Sequence, residues 1–180
     1  REDGTEEARG AEAVVTIGGD AVEKRRLSKR YRVPSLDARL IAERTRAEAR
    51  IISQARRSGI QTPVIRDVTG DTLIMERIEG PLLKEVLTPG HVREAGRMVG
   101  RLHTAGIIHG ELTTSNIIVR DSTCVLIDFG LSLVSSEIEH RGVDLHVFFQ
   151  TLESTTADHG PLQEAFTGGY AGDFPGYADV

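Results

Sequence analysis

Residues Ile107–Val119, IIHGELTTSNIIV, decide the fold. An apolar pair leads in and an Ile-Ile-Val run leads out, so a polar loop is strung between two short buried strands. Within the loop, Glu111 follows His109-Gly110, and Asn116 stands five residues after the carboxylate. Carboxylate and amide oxygens are hard donors of the kind magnesium prefers. Glu111 is one methylene longer than aspartate, which displaces its carboxylate by about 1.5 Å, the length of one C–C bond.

Two further pieces belong with this loop. One is LIDFG, Leu126–Gly130, where Asp128 follows an apolar strand and precedes Phe129-Gly130. The other is Lys24 on a strand, with helical Glu48 downstream. Each piece has a bland reading: a solvated lysine, a surface acid, a turn-capping asparagine, a structural histidine. Phosphoryl transfer explains why these types occur together. A lysine neutralises phosphate charge and is positioned by a helix glutamate. An Asn and an Asp hold the metal, and a second carboxylate addresses the attacking hydroxyl. The order Lys, Glu, HxE-x4-N, DFG matches the protein-kinase signature set.

The rest of the chain supports that architecture. Gly18-Gly19-Asp20 marks a hairpin turn between strands at Ala13–Ile17 and Ala21–Leu27. Pro34 to Gly59 reads as one or two helices, with Ser35 as a cap, Gly59 as the stop, and Leu36, Leu40, Ala47, Ile51 and Ala55 on one face. Strands follow at Val64–Val68 and Thr72–Ile78, split by Thr69-Gly70-Asp71. The chain is expected to turn helical from about Leu82, with Val92, Ala95, Val99 and Leu102 forming a core stripe. Short strands at Ile117–Val119 and Val125–Ile127 precede a helical remainder from Val143 with Gly-rich breaks, and the charged segment Arg1–Gly10 is expected to fray. Strands first and helices later predict an α+β, minimal bilobal kinase-like fold, with an N-lobe over residues 1–78 and a reduced C-lobe over 79–180.

Composition sets outer bounds. With 180 residues, 39% hydrophobic and 27% charged, the chain suits one domain of two small lobes, its core built from Ile, Leu, Val and Ala because aromatics make up only 4%. No apolar run reaches the roughly 18 residues of a membrane span. Cys124, the one cysteine, excludes an internal disulfide and fits a reducing cytosol. Net charge is -5, yet Glu23–Arg32 packs Lys24, Arg25, Arg26, Lys29, Arg30 and Arg32 together. That run is either a solvated face or a surface for phosphates, on a nucleotide or on RNA.

Seven stretches sharpen the assignment: GAEAVV (Gly10–Val15), RYRVPSLDARL (Arg30–Leu40), ERTRAEARI (Glu43–Ile51), MERIEG (Met75–Gly80), IIHGELTTSN (Ile107–Asn116), LIDFGLS (Leu126–Ser132) and RGVDL (Arg141–Leu145). From about Gly10 to Thr155 the chain resembles the small atypical kinase family often called PRPK, the kinase-like subunit of the KEOPS complex. The resemblance implies an ATPase and atypical Ser/Thr kinase using ATP and Mg2+ in the cytoplasm. It would act beside the threonylcarbamoyl-transferase subunit and a small regulatory subunit in t6A modification of tRNA, with tRNA contacted within the complex. Carried over residue by residue, it implies that Gly10, Ala11, Glu12 and Ala13 form the phosphate-side loop and that Lys24 contacts phosphates and pairs with Glu48. Met75 would guard the back pocket, with Glu76 and Ile78 offering backbone groups to adenine. Ile118 and Ile127 would line its apolar floor and rear wall. Asn116 and Asp128 would hold magnesium, and Glu111 would serve as the base.

Only residues 131–143 lie between Gly130 and Asp144, with no APE and no room for a long activation segment. Gly110 stands where an activation-loop phosphate would need an arginine. Two features depart from the family: Glu111 in place of Asp, and an end at Ala178-Asp179-Val180 where members carry a basic tail. Glu111 opens the alternative of a pseudokinase, a binding module that retains nucleotide but little catalysis. A small-molecule phosphotransferase shares HGD-type loops, but LTTSN and RGVDL argue against it.

Overall fold

Gly18-Gly19-Asp20 makes the hairpin turn its glycines predict: Gly18 pairs with Ala21, and Gly19 takes a left-handed φ of 57°. The structure is a computed structural model that describes residues 5–180. The described residues divide into two units, 5–53 with Pro63–Arg77, and Gln54–Thr62 with Ile78–Val180.

The first unit is built on an antiparallel sheet. Its strands are β1 (Glu6–Arg9), β2 (Ala13–Gly18), β3 (Ala21–Arg26), β4 (Ile65–Val68) and β5 (Thr72–Glu76), in the order β1-β2-β3-β5-β4. β3 is therefore central, and Val15, Lys24 and Leu73 lie side by side across three strands. Of the residues expected to fray, 1–4 lie outside the described residues and the others include β1. Glu6–Arg9 pairs with β2 along its length although every side chain is exposed, because an edge strand needs only backbone bonds.

Helix α1 (Pro34–Arg57) is one continuous helix. Ser35 does not cap it but lies inside its first turn; Asp37 ties the start down instead, accepting from Ser28 Oγ at 2.7 Å and the Lys29 N–H at 2.9 Å. Gly59, with φ 85°, follows the end as expected. The apolar stripe is right in its second half, where Ile51 and Ala55 are buried, and needs correcting in its first: Leu36 and Ala47 are exposed, and the buried face runs Ile41, Thr45, Glu48, Ile52, Ala55. Spacings of four and three fit a helix face, but two of its members are polar, so hydrophobicity alone misplaced it.

In the second unit a 3-10 turn at Leu83–Glu85 precedes α2 (Pro89–Thr104), so the expected helix starts later than Leu82. Thr88 caps α2 by accepting the His91 N–H at 3.1 Å, and Pro89 occupies the first helical position. Val92, Ala95, Val99 and Leu102 are fully buried, as their spacing predicts. β6 (Ile107–Ile108) pairs with β9 (Leu133–Val134), and β7 (Ile117–Arg120) with β8 (Thr123–Leu126). Helices α3 (Ile138–Thr155) and α4 (His159–Asp173) complete the unit.

The late glycines do not break helices. Gly168, Gly169 and Gly172 lie within α4, and Gly96, Gly100 and Gly169 let α2 and α4 meet backbone to backbone. A Cβ on Gly169 would strike the Arg93 carbonyl, and one on Gly96 the Phe166 carbonyl. Phe148 stacks on Phe166 with ring centres 4.4 Å apart, closing the core between α3 and α4.

Candidate functional site

Both polar clusters grow from buried acids. In the first unit Lys24 Nζ donates to Glu48 Oε1 at 2.8 Å, joining the central strand to α1. The other carboxylate oxygen, Oε2, accepts from Arg26 at 2.7 Å. Lys24, Arg26 and Glu48 are 12%, 8% and 3% exposed, so the ion pairs are shielded from water and salt. Arg26 thereby leaves the basic face on which its sequence position put it.

The loop Gly10–Ala13 is fastened to the same region. Gly10 donates its N–H to the Ala13 carbonyl at 2.9 Å, and Leu27 donates to the Glu12 carbonyl at 2.9 Å. Lys29 Nζ reaches the Ala11 carbonyl at 3.0 Å and Glu12 Oε1 at 2.8 Å, while Arg44 lies 3.5 Å from Glu12 Oε2. The Lys29 hydrogen bond, with the charges of Lys29, Arg44 and Arg26, holds the Glu12 carboxyl below its ordinary value. Arg32 meets Asp37 at 3.3 Å, so of the basic run only Arg25 and Arg30 are exposed along their side chains. Met75 is buried on β5, and the N–H of Glu76 is taken by the Val64 carbonyl at 2.8 Å. That bond commits one of the two backbone groups Glu76 could offer.

In the second unit the loop hangs on Asp144, which projects from α3. Asp144 Oδ2 accepts the His109 N–H at 2.8 Å, and Oδ1 accepts the Gly110 N–H at 2.9 Å. His103 Nε2 donates to Oδ2 at 3.0 Å, and its Nδ1 meets the Tyr170 hydroxyl at 2.8 Å. Burial, first of all, pushes the Tyr170 phenol up, so the hydroxyl stays protonated and donates. His109 is wholly buried: Nε2 donates to the Ile127 carbonyl at 2.9 Å, leaving Nδ1 to accept the Glu111 N–H at 3.3 Å. It packs edge-on against Phe129, and Ser132 Oγ donates to the His109 carbonyl at 2.6 Å. The histidine is structural and welds the loop to Ile127, the residue between the end of β8 and Asp128.

Gly110 has its own reason to be glycine. Its φ is 85°, and a Cβ would collide with the Leu131 carbonyl. The next residue, Glu111, presents an exposed carboxylate. Asn116 Nδ2 donates to the Glu111 carbonyl at 2.8 Å, which fixes the amide and leaves Oδ1 as its remaining acceptor. Asp128 sits at φ 58°, a left-handed conformation rare for a residue with a side chain, and its Oδ1 accepts the Gly130 N–H at 3.2 Å. Asn116 and Asp128 each offer a hard oxygen, amide and carboxylate, of the kind that could hold magnesium. Ile78, Ile118 and Ile127 fall in one apolar cluster with Val125 and Leu82.

Asp144, His103, Tyr170 and Arg26 were not expected as site residues. Asp144 could have been found, since it lies four residues before Phe148 and eight before Leu152 on a buried helix face, where an acid needs partners. Arg26 carries no such sign, being one cation in a basic run.

The RIO domain family matches residues 20–142. A probable bifunctional tRNA threonylcarbamoyladenosine biosynthesis protein of Methanoculleus marisnigri is 66% identical over 173 residues, covering 96% of this chain and 33% of that protein. The chain thus spans about a third of the length of such bifunctional relatives. A probable serine/threonine-protein kinase BUD32 homolog of Archaeoglobus fulgidus is 45% identical over 161 residues, covering 89% of this chain and 83% of that one. In fold, the chain is similar to the Rio2 kinase of Chaetomium thermophilum, solved as an ADP/Mg2+-phosphoaspartate complex, with a TM-score of 0.73 at 18% identity over 98% of this chain and 64% of that one. The chain belongs to the RIO domain family and to the family of the BUD32 homologs.

Proposed function

We propose that the chain is an ATP-binding, magnesium-dependent ATPase and atypical Ser/Thr kinase. It serves formation of threonylcarbamoyladenosine on tRNA beside a threonylcarbamoyl-transferase subunit and a small regulatory subunit, in the cytoplasm. The observation that carries the reading is the buried 2.8 Å pair between Lys24 and Glu48, joining strand to helix where a phosphate-binding lysine needs its partner. Lys24 addresses the nucleotide phosphates, and Asn116 and Asp128 hold magnesium, which neutralises phosphate charge when bound. Glu111 addresses the attacking hydroxyl. The apolar cluster of Ile78, Ile118 and Ile127 suits an adenine face, and exposed Arg25 and Arg30 are the members of the basic run placed to meet tRNA phosphates.

The names of the bifunctional relatives support the tRNA role. Asp128→Ala tests the site: magnesium-dependent ATP turnover should fall at least a hundredfold with the fold retained, and near-parental turnover would remove Asp128 from it. One observation favours a second reading. The longer side chain of Glu111 sits where a 1 Å error costs roughly a hundredfold, so the chain could serve its complex as a nucleotide-binding pseudokinase.

A further inference from the structure

We infer that Arg26 is a positioning residue for nucleotide use, holding one oxygen of Glu48 so that the other is presented to Lys24. The inference rests on the nucleotide reading above and adds a residue to it. Lys24 and Arg26 are two apart on β3, so they project to the same face of the sheet, whereas Arg25 between them is exposed on the other. That spacing lets both cations reach one helix carboxylate, Lys24 at 2.8 Å on Oε1 and Arg26 at 2.7 Å on Oε2.

A glutamate side chain has three rotatable bonds, and a single ion pair leaves its second oxygen to find a partner elsewhere. Arg26 removes that freedom. Its guanidinium stays charged when buried, as a lysine need not, and its rigid fork fixes direction as well as distance. Its backbone is equally constrained. Its N–H donates to the Asp71 carbonyl at 2.8 Å, and it stands opposite Ala13 in the β2–β3 register. One residue thus couples the Glu48 carboxylate to the end of the Gly10–Ala13 loop. Two cations around one carboxylate also keep the formal charge of the trio at +1, which suits a polyphosphate ligand better than a neutral pair.

A purely structural arginine would neutralise Glu48 and do nothing else, and the two roles separate in kinetics. In the full-length protein, Arg26→Met should lower kcat/KM for ATP by about 10–100-fold in the folded fraction, the scale expected of a displaced phosphate-binding group. Arg26→Lys should recover at least threefold of that loss. In a double-mutant cycle, Arg26→Met combined with Glu48→Met should be within about twofold of Glu48→Met alone, because Arg26 acts through Glu48. The double variant replaces a buried ion pair with apolar side chains, an exchange proteins commonly tolerate, so it carries the test if Arg26→Met alone does not fold.

Affinity for a fluorescent ATP analogue should follow the same order. Lys24→Ala separates the levels of failure. If Lys24→Ala disables turnover while folded Arg26→Met stays within twofold of the parent, Arg26 is structural and the inference falls alone. Additive losses in the cycle overturn it equally. If Lys24→Ala changes neither turnover nor analogue binding, the nucleotide reading falls with it.

Discussion

Asp144→Asn removes one charge and almost no volume, yet it should loosen the whole loop. The carboxylate takes three donors, the His109 and Gly110 N–H groups and His103 Nε2, at 2.8, 2.9 and 3.0 Å, with 1% exposure. An asparagine can keep its oxygen at the position that serves His109 and His103. Its NH2 then faces the Gly110 N–H, and that part-buried donor loses its partner at about 1 kcal/mol, the low end for a group that water can partly reach. The two surviving bonds drop from charge-assisted to neutral, costing up to about 1 kcal/mol each. The sum, about 1–3 kcal/mol, should lower Tm by roughly 2–12 °C in a chain of this size, read by circular dichroism. ATP turnover should fall as well, because the freed backbone leads directly into Glu111. A Tm drop under about 2 °C would show that the loop does not hang on Asp144.

Other outcomes follow from single groups. Glu111→Asp should raise ATP turnover by roughly tenfold or more with little change in nucleotide affinity, and Glu111→Gln should remove most activity while still binding nucleotide; a Gln variant as fast as the parent would make Glu111 a loop residue and advance the pseudokinase reading. The hydrogen bond from Ser28, then the Lys29 N–H and Arg32, hold the Asp37 carboxyl below its ordinary 3.8. Its stabilisation is therefore complete above that value and is lost as pH falls through the lower folded value, so the Tm gap between parent and Asp37→Asn should be open at pH 7 and close in acid. Burial, then the charge of Glu94, pushes the Cys124 thiol up to about 12, so iodoacetamide at pH 8 should label native protein far more slowly than urea-unfolded protein. Equal rates would place Cys124 outside the core.

Periodicity revealed most of the fold, because most elements bury apolar side chains and nothing else. The stripe Val92, Ala95, Val99, Leu102 was readable since each member is hydrophobic. α1 was misread at its face because two of its inward residues, Thr45 and Glu48, are polar, while Leu36 points out. β1 escaped notice for a different reason: a fully exposed edge strand buries no side chain and leaves no hydrophobic pattern. The glycines of α4 signalled breaks by propensity, yet close helix contact demands Gly169, and propensity is blind to what lies across an interface.

Kinase order made Lys24, Glu48, Glu111, Asn116 and Asp128 nameable, but not what aims them. Side chains that do the chemistry must be of particular types at particular spacings, so they leave a motif. Their supports need only satisfy a buried group, and many residue types placed by the fold can do that. Asp144 serves His109 and Gly110 from 34 or more residues away, and Arg26 serves Glu48 from 22. Such pairs share no local pattern, and a charged residue destined for burial looks in sequence like one destined for solvent. The discriminating feature is the neighbour. A cation two residues from Lys24 on the same strand shares its face, and any acid that meets one is within reach of the other. By that rule Arg26 belongs with Lys24 and Glu48, and Arg25, one residue nearer in sequence, belongs to the surface.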